Sequence, residues 1–145
     1  MVRSILLIDD DRDDYELFAE AISEIDPEIS HRYVSTCNEA NALDDTSFDL
    51  LLLDINMPGK DGFQWLKAIR KQGYASVRIV MFSNSLSPVH IEKAYKEGAD
   101  LYFPKPESFS RLVKGLHSLI NIDWTDPGAI PKKREGQSRS EFFFV

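Results

Sequence analysis

Apolar positions along this chain switch between short unbroken runs and longer stretches at helical spacing. Ser4–Ile8 is continuously apolar after its first residue, the pattern of a strand buried on both faces of a parallel sheet. Over residues 13–25, Leu17, Phe18, Ala21, Ile22 and Ile25 recur on one helix face, and Pro27 closes that element. Residues 31–35 read as a second, less apolar strand, and residues 39–43 as a short helix with Asn38 as its N-cap. Residues 49–53 are apolar after Asp49, a further buried strand with Asp54 at its carboxyl end. A loop over residues 55–60 leads to a helix over about residues 61–72, which Gly73 stops. Residues 77–82 are the next strand. Ser87 and Pro88 then supply an N-cap and a proline at the first helical position, and Gly98 ends the helix they start. A last short strand falls at 101–103 and a last helix at 108–120, with Phe109, Leu112, Val113, Leu116 and Leu119 on one face.

Strand and helix alternate about five times, which implies an α/β fold: a doubly wound parallel sheet with helices on both sides. Among doubly wound orders the expected one is the flavodoxin-like five-stranded sheet, in a three-layer α/β/α arrangement. Such sheets bind ligands beyond the carboxyl ends of their strands, where strand order reverses. Those ends are where the polar groups stand: Asp9 and Asp10, Asp54, Ser83 and Lys105.

Length and charge narrow the functions further. The 145 residues fit one domain, expected over 1–125, and from Asp126-Pro127-Gly128 the composition shifts to a flexible or partner-docking tail, 126–145. The tail is locally basic at Lys132, Lys133 and Arg134, too short for a DNA-binding output domain, and ends in Phe142, Phe143, Phe144 and Val145. Two readings stand for that apolar end: a disordered, sticky terminus, or a segment packed on this domain, on a second copy or in a partner. A net charge of −7 argues against a nucleic-acid-binding face and against docking on an anionic membrane. Cys37 is the only cysteine, so no intrachain disulfide forms and a reducing, cytoplasmic location is expected. No stretch is long enough to span a bilayer, and the run ending at Ile8 is too short for the core of a signal peptide.

Asp9, Asp10 and Asp54 crowded at one sheet edge would repel one another, and neutralising them needs a cation. Carboxylate oxygens, a backbone carbonyl and water suit Mg²⁺, which keeps several waters and takes few protein ligands. A phosphoryl group can land beside such an ion, with Lys105 pairing with the developing charge and Ser83 donating a hydrogen bond.

The blocks Ile8-Asp9-Asp10, Leu53-Asp54-Ile55-Asn56-Met57-Pro58, Asp61-Gly62, Met81-Phe82-Ser83 and Tyr102-Phe103-Pro104-Lys105-Pro106 follow one another in this order. Together they resemble the response-regulator receiver family of two-component signalling, over residues 4 to about 121. The acidic run at 9–14, the Ser83-Asn84-Ser85 sequence and the ending at 109–124 are similar to single-domain regulators that partner phytochrome-type and other hybrid histidine kinases. The resemblance implies a signalling module and not a turnover enzyme. In it Asp54 accepts a phosphoryl group, with Mg²⁺, from a histidine kinase or a histidine phosphotransfer protein. It implies that Asp10 ligates Mg²⁺ directly, Asp9 mostly through water, and Asp54 and the Asn56 backbone carbonyl complete the protein share. Lys105 is then the contact to the phosphoryl oxygens, held by Pro106, whose peptide bond is often cis in the family. Ser83 is the switch hydroxyl and Tyr102 the switch aromatic. Phosphorylation remodels the 87–120 face, which acts on a separate downstream protein, and a homodimer is a further candidate assembly. Asn84 departs from the usual small alanine or glycine after the switch hydroxyl, which narrows access for a phosphodonor.

Other readings fit these residues less well. A phosphohydrolase using Asp54 as nucleophile needs a second acid two residues on, where Asn56 stands. A flavin or nucleotide module needs a glycine loop after Ile8, and that loop is acidic. A phosphorylation-independent adaptor is the serious rival, because Asn84 and the tail are unusual, and phosphotransfer assay separates it from the receiver. Asp13 and Asp14 read as acids favoured by the helix macrodipole, without a metal role. His31, His90 and His117 lack metal-ligand spacing, and Trp65 and Trp124 read as packing residues.

Overall fold

A strand that is apolar on both faces needs a helix layer above and below it, and a neighbouring strand on each edge for its backbone groups. In the computed structural model, which describes residues 2–35, 48–57, 59, 61–71, 77–131 and 143–145, the apolar runs pair in this way. Strands β1 (Ser4–Ile8), β2 (Ser30–Val34), β3 (Leu50–Leu53), β4 (Arg78–Ser83) and β5 (Leu101–Pro104) form a five-stranded sheet in the order β2-β1-β3-β4-β5. All pairings are parallel, with Ile8 opposite both Val34 and Leu53, Leu53 opposite Met81, and Ser83 opposite Pro104. This is the flavodoxin-like order, and its reversal between β1 and β3 opens a crevice at their carboxyl ends.

Helices α1 (Arg12–Ile25) and α4 (Phe109–Ile120) pack together on one face, and α2 (Gly62–Lys71) and α3 (Pro88–Lys96) cover the other. The strand alternation serves both layers: Leu50 and Leu52 join Phe18, Ile22, Leu112 and Leu116, while Leu51 and Leu53 join Phe63, Leu66 and Ala94. All four leucines are fully buried. Each contributes about 1.5–3 kcal/mol relative to exposure, which explains why β3 carries no polar position.

Two helices start on side-chain caps not named from the sequence, while the N-cap expected at Ser87 makes no cap bond. The Asp11 side chain accepts from the Asp13 amide at 2.9 Å to start α1, and Ser108 accepts from the Arg111 amide at 3.2 Å to start α4. Ser87 holds the N-cap position of α3 but makes no side-chain cap bond, and its own amide instead donates to Ser85 Oγ at 3.3 Å. Trp124 is a packing residue, its indole N–H donating to the Leu119 carbonyl at 3.2 Å. The helix expected at 39–43 with its Asn38 cap, Cys37, the helix stop at Gln72 and Gly73, Pro58, Lys60 and the basic stretch at 132–134 lie outside the described residues. Among the described residues no helix is long and apolar enough to cross a membrane.

Backbone bonds just past the strand ends fix the polar groups in space. The Asp9 amide donates to the Val34 carbonyl at 3.2 Å, Asp54 to Ile8 at 2.9 Å and Lys105 to Ser83 at 2.8 Å. Helix α2 presses against the same edge: the Gly62 amide donates to the Ile55 carbonyl at 2.9 Å, and a Cβ at Gly62 would overlap the Asp54 carbonyl oxygen. Gly62→Ala is therefore expected to destabilise the fold by about 1–3 kcal/mol, the usual cost of overpacking. Urea denaturation checks this, and an unchanged midpoint would mean that α2 is free to shift.

Candidate functional site

Three strand ends and one helix meet at a single ammonium. Lys105, next after β5, places Nζ 2.6 Å from Asp14 Oδ2, 2.8 Å from Asp9 Oδ2 and 3.5 Å from Asp54 Oδ2. Asp9 and Ser83 are 0% exposed and Asp54 is 5% exposed, so the charges meet largely out of water. The backbone directs the carboxylates: Asp9 Oδ1 accepts from the Asp11 amide and Asp54 Oδ1 from the Ile55 amide, each at 2.8 Å. Both Oδ2 atoms are thereby left facing Lys105. Asp9 Oδ2 lies 2.8 Å from the ammonium and has no other polar partner, so it keeps acceptor capacity to spare.

The charges do not balance. Burial pushes the Asp9 carboxyl above the usual range and the Asp54 carboxyl up to about 6, and Lys105 offsets only part of this. Burial alone would lower the Lys105 pKa, but hydrogen bonds to Asp14 and Asp9 more than reverse that and hold the ammonium charged. Three carboxylates thus face one ammonium, an excess of negative charge with a spare buried oxygen. A hard divalent cation fits that excess. Among the described residues no three His, Cys, Asp or Glu side chains are already arranged around a metal position, and Asp10 and Asn56 stand exposed at the rim.

A second network runs from Ser83 into the loop before α3. Ser83 Oγ accepts from the Ser85 amide at 3.2 Å, and Ser85 Oγ bonds His90 Nδ1 at 2.7 Å. The Tyr102 ring is fully buried, and its hydroxyl donates to the Ser85 carbonyl at 2.7 Å. Burial raises the Tyr102 phenol above its ordinary range, partly offset by bonds with Ser83 and Ser85.

The structure thus brings together Asp9, Asp54 and Lys105, with Ser83 and Tyr102 joined through Ser85. Sequence reasoning missed Asp14 and Ser85. Treating Asp14 only as a helix-start acid was incomplete, because it also makes the shortest contact to Lys105. A signal was present: Asp14 stands four residues before the core residue Phe18, on the inward stripe of α1. The Lys105–Pro106 peptide bond is trans, contrary to the cis form the family resemblance raised. Lys105 is held instead by its amide bond to Ser83 and by the carboxylates.

Comparison with known proteins gives concordant matches. The family model described as response regulator receiver domain matches residues 5–117. The transcriptional regulatory protein CpxR of Klebsiella pneumoniae subsp. pneumoniae (strain HS11286) is 36% identical over 120 residues, covering 82% of this chain and 50% of that protein. The nitrate/nitrite response regulator protein NarL of Escherichia coli (strain K12) is 42% identical over 69 residues, covering 48% of this chain and 32% of that protein. The chain spans about half the length of the CpxR relatives it matches. Among solved structures, the phosphorylated cyanobacterial phytochrome response regulator RcpA superposes with a TM-score of 0.73 at 25% identity, covering 82% of this chain and 91% of that one. The chemotaxis response regulator CheY4 of Vibrio cholerae gives 0.69 at 25% identity, covering 80% and 97%.

The raised Asp54 pKa makes stability depend on pH. The folded state binds this proton more tightly than the unfolded chain, so the associated stability is complete below 3.8 and is lost as pH rises through about 6. At pH 7 the ionised carboxylate therefore destabilises the fold. Asp54→Asn is expected to be more stable than wild type at pH 7 by on the order of 1–3 kcal/mol, the difference shrinking toward pH 4. Saturating Mg²⁺ should shrink it too, by stabilising the wild-type carboxylate. Urea melts at the two pH values check this, and a less stable variant at pH 7 would contradict it.

Proposed function

The chain belongs to the response regulator receiver domain family, and on that premise we propose that Asp54 accepts a phosphoryl group. Receivers are signalling domains of two-component systems, and the family works with histidine kinases and downstream effectors. The observation that carries the residue assignment is the buried Lys105 ammonium facing Asp9 and Asp54 across an unbalanced negative pocket.

Asp54 Oδ2, the oxygen not held by the Ile55 amide, attacks the phosphorus of a phosphohistidine on a histidine kinase or histidine phosphotransfer protein. The O–P bond forms as the P–N bond breaks, and the electron pair of that bond stays on the imidazole. Lys105, held at rest by Asp14 and Asp9, pairs with the charge on the phosphoryl oxygens. Ser83 Oγ, now an acceptor from Ser85, turns to donate to the same oxygens. That turn loosens the Ser83–Ser85 link to which the Tyr102 hydroxyl is joined, so Tyr102 reads the state of the site. Asp9, Asp10, Asp54 and the Asn56 carbonyl are the groups that would hold Mg²⁺, which when bound neutralises charge on the phosphoryl oxygens.

The domain catalyses its own phosphorylation and dephosphorylation and acts on a separate cytoplasmic protein through the 87–120 face. The likeness to a cyanobacterial phytochrome response regulator supports a phytochrome-type or other hybrid kinase as donor. The net charge of −7 supports a protein partner over a nucleic acid.

Incubation with acetyl phosphate and Mg²⁺, followed by intact-mass measurement, tests the assignment. Wild type is expected to gain one phosphoryl group, and Asp54→Asn or wild type in chelator none. An Asp54→Asn protein that gains mass as well as wild type would remove Asp54 from the reaction.

A further inference from the structure

Residues 143–145 lie along the outer edge of β5. The Val145 amide donates to the Tyr102 carbonyl at 3.0 Å, and the Tyr95 hydroxyl donates to the Val145 carbonyl at 2.6 Å. The same Tyr95 hydroxyl accepts from the Tyr102 amide at 3.1 Å. The edge-facing backbone groups of Tyr102 are therefore satisfied together, one by the segment and one by the tyrosine that also holds it. Side chains alternate as they do in an added strand. Phe144 is buried on the α1/α4 side with its ring centroid 5.2 Å from that of Phe103, while Val145 is buried on the α2/α3 side.

The surroundings are shaped for this segment. Phe143 lies under the Arg111 guanidinium, 5.1 Å from its ring centroid. Helix α4 carries Gly115 at the crossing, where a Cβ would come within 2.5 Å of the Phe103 ring and 3.3 Å of the Phe143 ring. Beside the segment a groove of about 500 Å³ is lined by Leu86, Pro104, Lys105, Arg111, Phe143 and Val145, and Leu86 is 48% exposed.

We propose that the β5 edge, walled by α3 and α4, is a docking groove for an extended apolar segment, and that residues 143–145 occupy it in cis. Backbone bonds to Tyr102 and Tyr95 fix the register, and the two layers take an aromatic and an aliphatic side chain on alternate faces. The groove lies on the face given above to the downstream protein. Resting on that reading, such a partner must displace residues 143–145 to reach β5. The docking itself does not depend on phosphorylation.

A fluorescent peptide of residues 138–145, capped as an amide, tests this against full-length protein by polarisation. Phe144→Asp removes the cis packing and leaves the groove intact, so it is expected to bind the peptide at least tenfold more tightly than wild type. Adding Tyr95→Phe to that variant should weaken the peptide several-fold, and a peptide with serine at 143–145 should not bind. If thermal melts show Phe144→Asp unfolded, Phe144→Ser is read in its place. Equal binding to wild type and variant, or binding to neither, overturns the proposal. So do concentration-dependent wild-type dimers that Phe144→Asp abolishes, since the segment would then be exchanged between copies. Failure here leaves phosphorylation of Asp54 untouched, and a failed phosphorylation assay leaves this groove untouched.

Discussion

A lysine ammonium withdrawn from water must be matched by negative charge, and at this sheet edge Lys105 is over-matched. Its side chain is 7% exposed and meets Asp14, Asp9 and Asp54. Removing the ammonium would leave the buried carboxylates uncompensated, at a cost of roughly 3–5 kcal/mol. The whole arrangement is therefore held together by one cation that satisfies neither Asp9 nor Asp54 fully. That shortfall gives the edge its character: an excess of negative charge that a hard divalent cation would fit, with Asp54 Oδ2 beside Lys105. Lys105 sits closer to Asp14 and Asp9 than to Asp54, so it is anchored beside the proposed acceptor.

The fold makes this congestion tolerable. Parallel strands buried on both faces admit few polar residues along their length, so polar groups collect at the carboxyl ends, where the ladder runs out and water or a ligand can reach them. Backbone bonds from Asp9, Asp54 and Lys105 to neighbouring strands hold the charges in place against their mutual repulsion. Tyr102 then links this edge to the outer face. Its hydroxyl bonds the loop after Ser83, and its backbone bonds Tyr95 and Val145. A change in the loop and a change at the β5 edge meet in one residue.

Much of this was legible in the sequence because two-sided burial leaves an unmistakable run such as that of β1. The small errors have physical causes. Asp49 reads as part of β3, but its carboxylate accepts from the amides of Arg3 and Ser4 and so caps the start of β1. Ser83 reads as following β4, yet it pairs with Pro104 and so lies within the strand. Asp14 was hidden by a sufficient explanation, since the macrodipole accounts for an acid there without asking which way it faces. The docking of Phe144 and Val145 on this domain stood in the sequence only as one of two readings of the apolar end, with no site to go with it. Three aromatics and a valine announce an apolar segment, but its destination depends on the notch at Gly115 and the open edge of β5, which exist only once the chain has folded.

Buried negative charge exceeds positive charge at one place in this molecule, around Lys105. A titration of the unphosphorylated, isotopically labelled protein with Mg²⁺, followed by amide NMR, tests it most directly. The expected result is saturable shifts concentrated at Asp9, Asp10, Asp54, Ile55 and Asn56, lost in the Asp9→Asn protein. Shifts that grow linearly without saturation and spread over the acidic surface would mean that the ion only screens charge, and that the pocket holds no cation.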